Sequence, residues 1–97
     1  MIVFHGSNQE LAELGAGSWI TADWDTAWTF AHTKTSNSGG EATVMMFEAD
    51  DSDVLWDVVA MATGIEDERG TLNRPLKAIG LSTSHDDRGP KAVGPTP

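Results

Sequence analysis

"GSWITADWDTAWTFAHT", Gly17 to Thr33, changes its period halfway along, and that change decides the fold class. Gly17 to Thr21 sets β-branched and aromatic residues behind a glycine, which predicts a short strand. From Ala22 onward Trp24, Ala27, Trp28 and Ala31 recur at i, i+3, i+4 and i+7, the spacing that gathers apolar side chains on one helix face. Thr21 or Asp23 stands where a side chain caps the free amides of a first helical turn.

Upstream, Met1 to His5 reads as a strand that closes at Gly6. Asn8 to Leu14 predicts a single helical turn with Leu11 and Leu14 inward, ended by Gly15. Downstream, "KTSNSGG" (Lys34 to Gly40) has the polar, glycine-rich character of a mobile loop. Glu41 to Ala49 then predicts a strand with Thr43, Met45 and Phe47 on one face and Val44 and Met46 on the other, both faces covered. From the capping residue Ser52, a stripe of Val54, Leu55, Val58, Val59 and Ala62 predicts a helix ending at Gly64. Ile65 to Asn73 reads as a charged connection, and Asn73 as the cap of a short helix with Pro75 in its first turn. Leu76 and Ile79 would face inward there and Gly80 would end it. Strands at Leu81 to Ser84 and Lys91 to Val93 would flank the turn "HDDRGP", and residues 94–97 would fray as a tail. Short strands broken by two or three helices, without regular alternation of strand and long helix, predict an α+β domain over residues 1–93 built on a small mixed or antiparallel sheet.

The bulk properties fit that reading. A chain of 97 residues, 39 % of them hydrophobic, makes one domain, and at this length about 65 % of the unfolded surface can be buried. There is no cysteine, which excludes disulfides and thiolate metal sites. No apolar run approaches the roughly 20 residues that cross a bilayer, and the N-terminus lacks the charged head and apolar body of a signal peptide; the expected setting is cytoplasmic, without a membrane. Fifteen acidic residues oppose six basic ones, a formal charge of −9. Such a balance disfavours direct nucleic-acid binding, whose affinity comes largely from lysine and arginine, and favours a macromolecular partner with a basic surface.

Several chemistries drop out on spacing. His5, His32 and His85 stand far apart, so no metal is expected. Ser7 lacks the strand, sharp turn and helix of a hydrolase nucleophile elbow. Asp50, Asp51 and Asp53 sit at a strand-to-helix junction, where acids favour a helix start over catalysis. What remains is His5 and Gly6 at the end of the first strand, Trp19 in the second, and Phe30 on the helix that follows. A pocket for a flat aromatic ligand needs such equipment: backbone open to close approach, aromatic faces for stacking and a polar group to fix orientation.

Phe4-His5-Gly6-Ser7, followed by a Gly-x-aromatic motif at Gly17 to Trp19 and a second aromatic, Phe30, eleven residues beyond Trp19, resembles the NAD-binding core of ADP-ribosyltransferases. The likeness is to the branch that includes poly(ADP-ribose) polymerases and diphtheria-type toxins, and it covers about the first half of the chain. It implies that His5 bonds a ribose hydroxyl of NAD, that the Gly6 backbone beside Ser7 holds the nicotinamide carboxamide, and that Trp19 and Phe30 sandwich the nicotinamide ring. The activity implied is transfer of ADP-ribose from NAD to a macromolecular target. The chain departs from the family where a late strand supplies a glutamate, since that position falls on Lys91. A cation there would repel the positive charge that develops on the sugar, and loss of one preorganised electrostatic partner costs on the order of 100-fold to 1000-fold in rate. Asp86 or Asp87, in the preceding turn, would be the substitute carboxylate. The other expectation is a catalytically inactive acidic binding protein on the same fold, presenting carboxylates where phosphates would sit. In composition it resembles phage-encoded anti-CRISPR proteins, which act in the host cytoplasm.

Overall fold

The computed structural model describes residues 1–56, 69–83 and 91–92. Strands β1 (Ile2–Ser7), β2 (Glu13–Leu14) and β3 (Trp19–Thr21) precede helix α1 (Trp24–Ser38), and β4 (Thr43–Glu48) follows it. A single 3-10 turn (Asp51–Asp53) leads into β5 (Val54–Trp56), and β6 (Arg69–Leu72), β7 (Leu76–Lys77), β8 (Gly80–Ser82) and β9 (Lys91–Ala92) complete the described elements. Seven strands form one sheet in the order β5-β6-β3-β1-β4-β8-β9, and β2 pairs with β7 in a second, two-stranded sheet. Every described pairing is antiparallel. The class is α+β, with one α-helix among the described residues instead of two or three.

Alternation along the central strands separates two cores. Val3, Ile20, Met45 and Phe47 point to one face, where Leu14 of β2 and Leu76 of β7 cover them. Val44 points to the other, packed against Trp24 and Ala27 of α1 with Phe4 and Trp28 at its margin. Gly6 belongs to this second face, and a Cβ there would collide with the Ala27 carbonyl of α1. The helix backbone therefore rests directly on the strand, an approach that only glycine permits.

The start of α1 follows the sequence closely. Asp23 caps it, its carboxylate accepting the Thr26 amide at 2.9 Å, and Trp24 and Trp28 stack one turn apart with ring centres 5.6 Å apart. Its end does not. The segment expected as a loop from Lys34 stays helical to Ser38 and stops only at Gly39, where φ is +80°. The hydroxyls of Thr29 and Thr33 donate to carbonyls four residues back, at 3.0 Å each, so threonines here join the helix instead of competing with it.

Other expectations are corrected by pairing. Asn8 to Leu14 forms no helical turn; Glu13 and Leu14 pair with Lys77 and Leu76. The same partnership makes a strand of Leu76–Lys77, where a capped helix was expected, leaves Ile79 exposed and places Gly80 inside β8. Gly6 does not close β1, which continues to Ser7. The first three residues of the expected helix after Asp53 are β5, alternating between buried Val54 and exposed Leu55; its remainder lies outside the described residues. The end of the charged connection is β6, held between β5 and β3. In both segments a local pattern yields to hydrogen bonding with strands distant in sequence. Strands β8 and β9 fall within one or two residues of the expected positions and pair with each other, Leu81 opposite Lys91; the turn between them and the tail are outside the described residues. Among the described residues no helix is long and apolar enough to cross a membrane.

Candidate functional site

The site is a flaw in the sheet, and the hydrogen-bond parity of β1 explains it. The Met1 carbonyl accepts the Ala49 amide at 2.9 Å, so alternate residues Val3, His5 and Ser7 turn their peptide groups toward β4. Phe4 and Gly6 then face β3. Phe4 pairs with Thr21, and the next rung would join Gly6 to Trp19, but the β1–β3 register consists of Phe4↔Thr21 alone. Side chains take the two carbonyls of the missing rung. His5 Nδ1 donates to the Trp19 carbonyl at 2.8 Å, and Lys34 Nζ donates to the Gly6 carbonyl at 3.2 Å. The strands part here, and the imidazole stands in the seam between them.

Three rings from three elements meet at that seam. His5 of β1 lies 5.0 Å from Trp19 of β3, and Trp19 lies 4.4 Å from Phe30 of α1, measured between ring centres. Each pair is tilted by 44°, a favourable arrangement for aromatic quadrupoles. His5 is buried, whereas Phe30 is 38 % exposed and forms the outer wall. Since a carbonyl only accepts, the bond to Trp19 fixes the proton on Nδ1 and leaves Nε2 of the neutral ring as an acceptor. Burial keeps the imidazole neutral by lowering its pKa; the Trp19 carbonyl opposes this, and the nearby Lys34 charge adds to it.

His5, Gly6, Trp19 and Phe30 thus converge, as a nucleotide-binding reading requires. Ser7, the fifth expected binding residue, is buried and its hydroxyl accepts the Gln9 amide at 3.4 Å, supporting the chain as it leaves β1. Asp86 and Asp87 lie outside the described residues. Lys34 lies in the stretch whose polar, glycine-rich composition predicts a loop; in the extended helix its position four residues after Phe30 puts it on the same face as that ring.

A nicotinamide ring would place a definite steric demand on this seam. A ring held between Trp19 and Phe30 needs two van der Waals separations, about 7 Å between their planes, and the observed ring centres are 4.4 Å apart. The rings must separate. Phe30 can do so because it lies on the exposed side of α1, and the contact it gives up is worth only about 0.5–1.5 kcal/mol, less than two new stacking faces would return. An acceptor at His5 Nε2 suits a ribose hydroxyl, and the Gly6 peptide faces the gap where the β1–β3 ladder ends. As observed, the closed contact leaves no room for a nicotinamide ring between Trp19 and Phe30.

No known family model, curated protein or solved structure matches the chain.

Proposed function

We propose that the chain is a small NAD-binding domain of ADP-ribosyltransferase type, with His5, Gly6, Trp19 and Phe30 forming the nicotinamide–ribose site. The observation that carries the reading is the interrupted β1–β3 ladder, where a tethered, neutral histidine stands in line with two aromatic rings. In this reading His5 accepts a ribose hydroxyl through Nε2, and Trp19 and Phe30 part to take the nicotinamide ring. The activity proposed is transfer of ADP-ribose to a macromolecular target with a basic surface. Nicotinamide would leave with the electrons of the broken glycosidic bond, and the acceptor nucleophile would lose its proton as it bonds to the ribose carbon. Asp86 or Asp87 is proposed as the carboxylate that stabilises the positive sugar.

Calorimetric titration with NAD, joined to mass spectrometry of a candidate target, tests both halves. Binding in the submillimolar range, lost in Trp19→Ala, together with a target carrying added ADP-ribose, supports the proposal; no heat at millimolar NAD removes it.

The closed contact between Trp19 and Phe30 favours a second reading, in which the fold persists without catalysis and the acidic protein occupies the basic surface of a nucleic-acid-binding or defence complex. A partner captured equally well by the unaltered chain and by His5→Ala, released by salt and by neutralising Asp50 and Asp51, would support it.

A further inference from the structure

The charge balance makes one cation conspicuous. In a chain with fifteen acidic residues and six basic ones, the surrounding field repels anions, and a phosphorylated ligand needs a specific positive contact. Arg74 is committed to Asp53, which it grips with two guanidinium nitrogens. Lys34 differs. Among the described residues it has no carboxylate partner; its ammonium donates to the Gly6 carbonyl at 3.2 Å, at the missing rung itself. An ammonium carries three donors, so two remain. Phe30, the outer wall of the seam, is one helical turn away on the same face of α1.

We infer that Lys34 is the anion anchor of the seam, its ammonium taking a phosphate oxygen, so that the ligand is a nucleoside diphosphate and not a bare base or nucleoside. The inference rests on reading the seam as a nucleotide site and adds to it a contact for the phosphate part of the ligand. The Gly6 carbonyl orients the lysine while the site is closed, and the ammonium can hold that carbonyl and a phosphate together. The aromatic rings alone would accept any flat molecule; the cation restricts them to one joined to phosphate.

The test compares four probes on the full chain by calorimetry and amide NMR shifts: NAD, ADP-ribose, inorganic pyrophosphate, and nicotinamide, which carries the ring without phosphate. In Lys34→Met, with folding verified by circular dichroism, affinity for NAD and ADP-ribose is expected to fall about tenfold or more, in line with loss of one hydrogen bond to a charged group. Pyrophosphate shifts around Gly6 should vanish, nicotinamide binding should not change, and Lys34→Arg should restore most of the loss. Equal weakening of NAD and nicotinamide, or unaltered NAD affinity in Lys34→Met, overturns the anchor while leaving the nucleotide site in place. Nicotinamide binding to the unaltered chain without NAD binding removes the anchor and the NAD reading together, leaving only a seam for a flat ring. Failure of all four probes removes the site and the anchor with it.

Discussion

The β1–β3 seam and the corner formed by Asp50 to Asp53 are both polar places in a small sheet protein, and they differ in whether their bonding capacity is used up. At the corner, the Asp53 carboxylate accepts Arg74 Nε at 2.5 Å, Arg74 Nη2 at 3.1 Å and the Asp50 amide at 2.8 Å. Asp51 accepts the Trp56 indole at 3.0 Å, and the Ser52 carbonyl accepts the Asn73 side chain at 2.9 Å. The Asp51 and Asp53 carboxylates are both bonded, and the Asp50 backbone joins the network through its carbonyl, which accepts the Asp53 amide at 2.9 Å. At the seam, a ladder rung is replaced by two side chains, and the donors and acceptors that remain are an imidazole nitrogen, an ammonium and the ring faces. Saturated polar clusters hold a fold together; a cluster with capacity left over is where a ligand fits.

Five substitutions break or sharpen this contrast. The largest effect is expected from Gly6→Ala, which drives a methyl group into the Ala27 carbonyl and forces α1 off the sheet; urea denaturation should show a loss of about 3 kcal/mol or more, at the upper end of overpacking. Arg74→Met should cost less and should reveal itself through pH. The Arg74 hydrogen bonds, and after them the Asp50 amide, hold the Asp53 carboxyl below its usual 3.8. That contribution is present above about pH 4 and lost as pH falls below it, because the unfolded chain protonates first. The acid slope of stability should therefore flatten in Arg74→Met, and Asp53→Asn should flatten it equally.

Phe30→Ala should separate stability from function. The ring is 38 % exposed, so the loss should stay under about 1 kcal/mol, while NAD affinity should drop about tenfold with the loss of a stacking face. The smallest effect concerns His5. Burial holds its pKa below the ordinary 6.5, so the unfolded state binds the proton more readily; stability is full above pH 6.5 and declines as pH falls from there toward the folded value. His5→Gln should remove that decline below pH 6.5, as read from thermal midpoints.

How much of this was legible in the sequence follows the range of the interactions. Trp24, Ala27, Trp28 and Ala31 announced α1 because helical periodicity is local, and Thr43 to Phe47 announced β4 because both its faces are apolar. Gly80 and the stretch Arg69–Leu72 misled, since a glycine or a charged residue inside a short strand is tolerated when neighbouring strands supply the hydrogen bonds, and those neighbours lie far away in sequence. The histidine and the two site rings were legible as a motif. The missing Gly6–Trp19 rung and the placement of Lys34 were not, because a broken ladder has no local signature and the lysine's place depended on five further residues of helix.

The central claim is that the interrupted ladder between β1 and β3 receives a nucleotide. The most direct measurement is an NMR titration of the labelled full chain with NAD up to about 1 mM, the upper end of ordinary substrate affinities. Saturable shifts centred on Gly6, the Trp19 indole and Phe30, with the Asp50 to Asp53 corner unmoved, are the predicted result. Spectra that stay unchanged at that concentration, or shifts that gather at the acidic corner while the seam stays still, would contradict it.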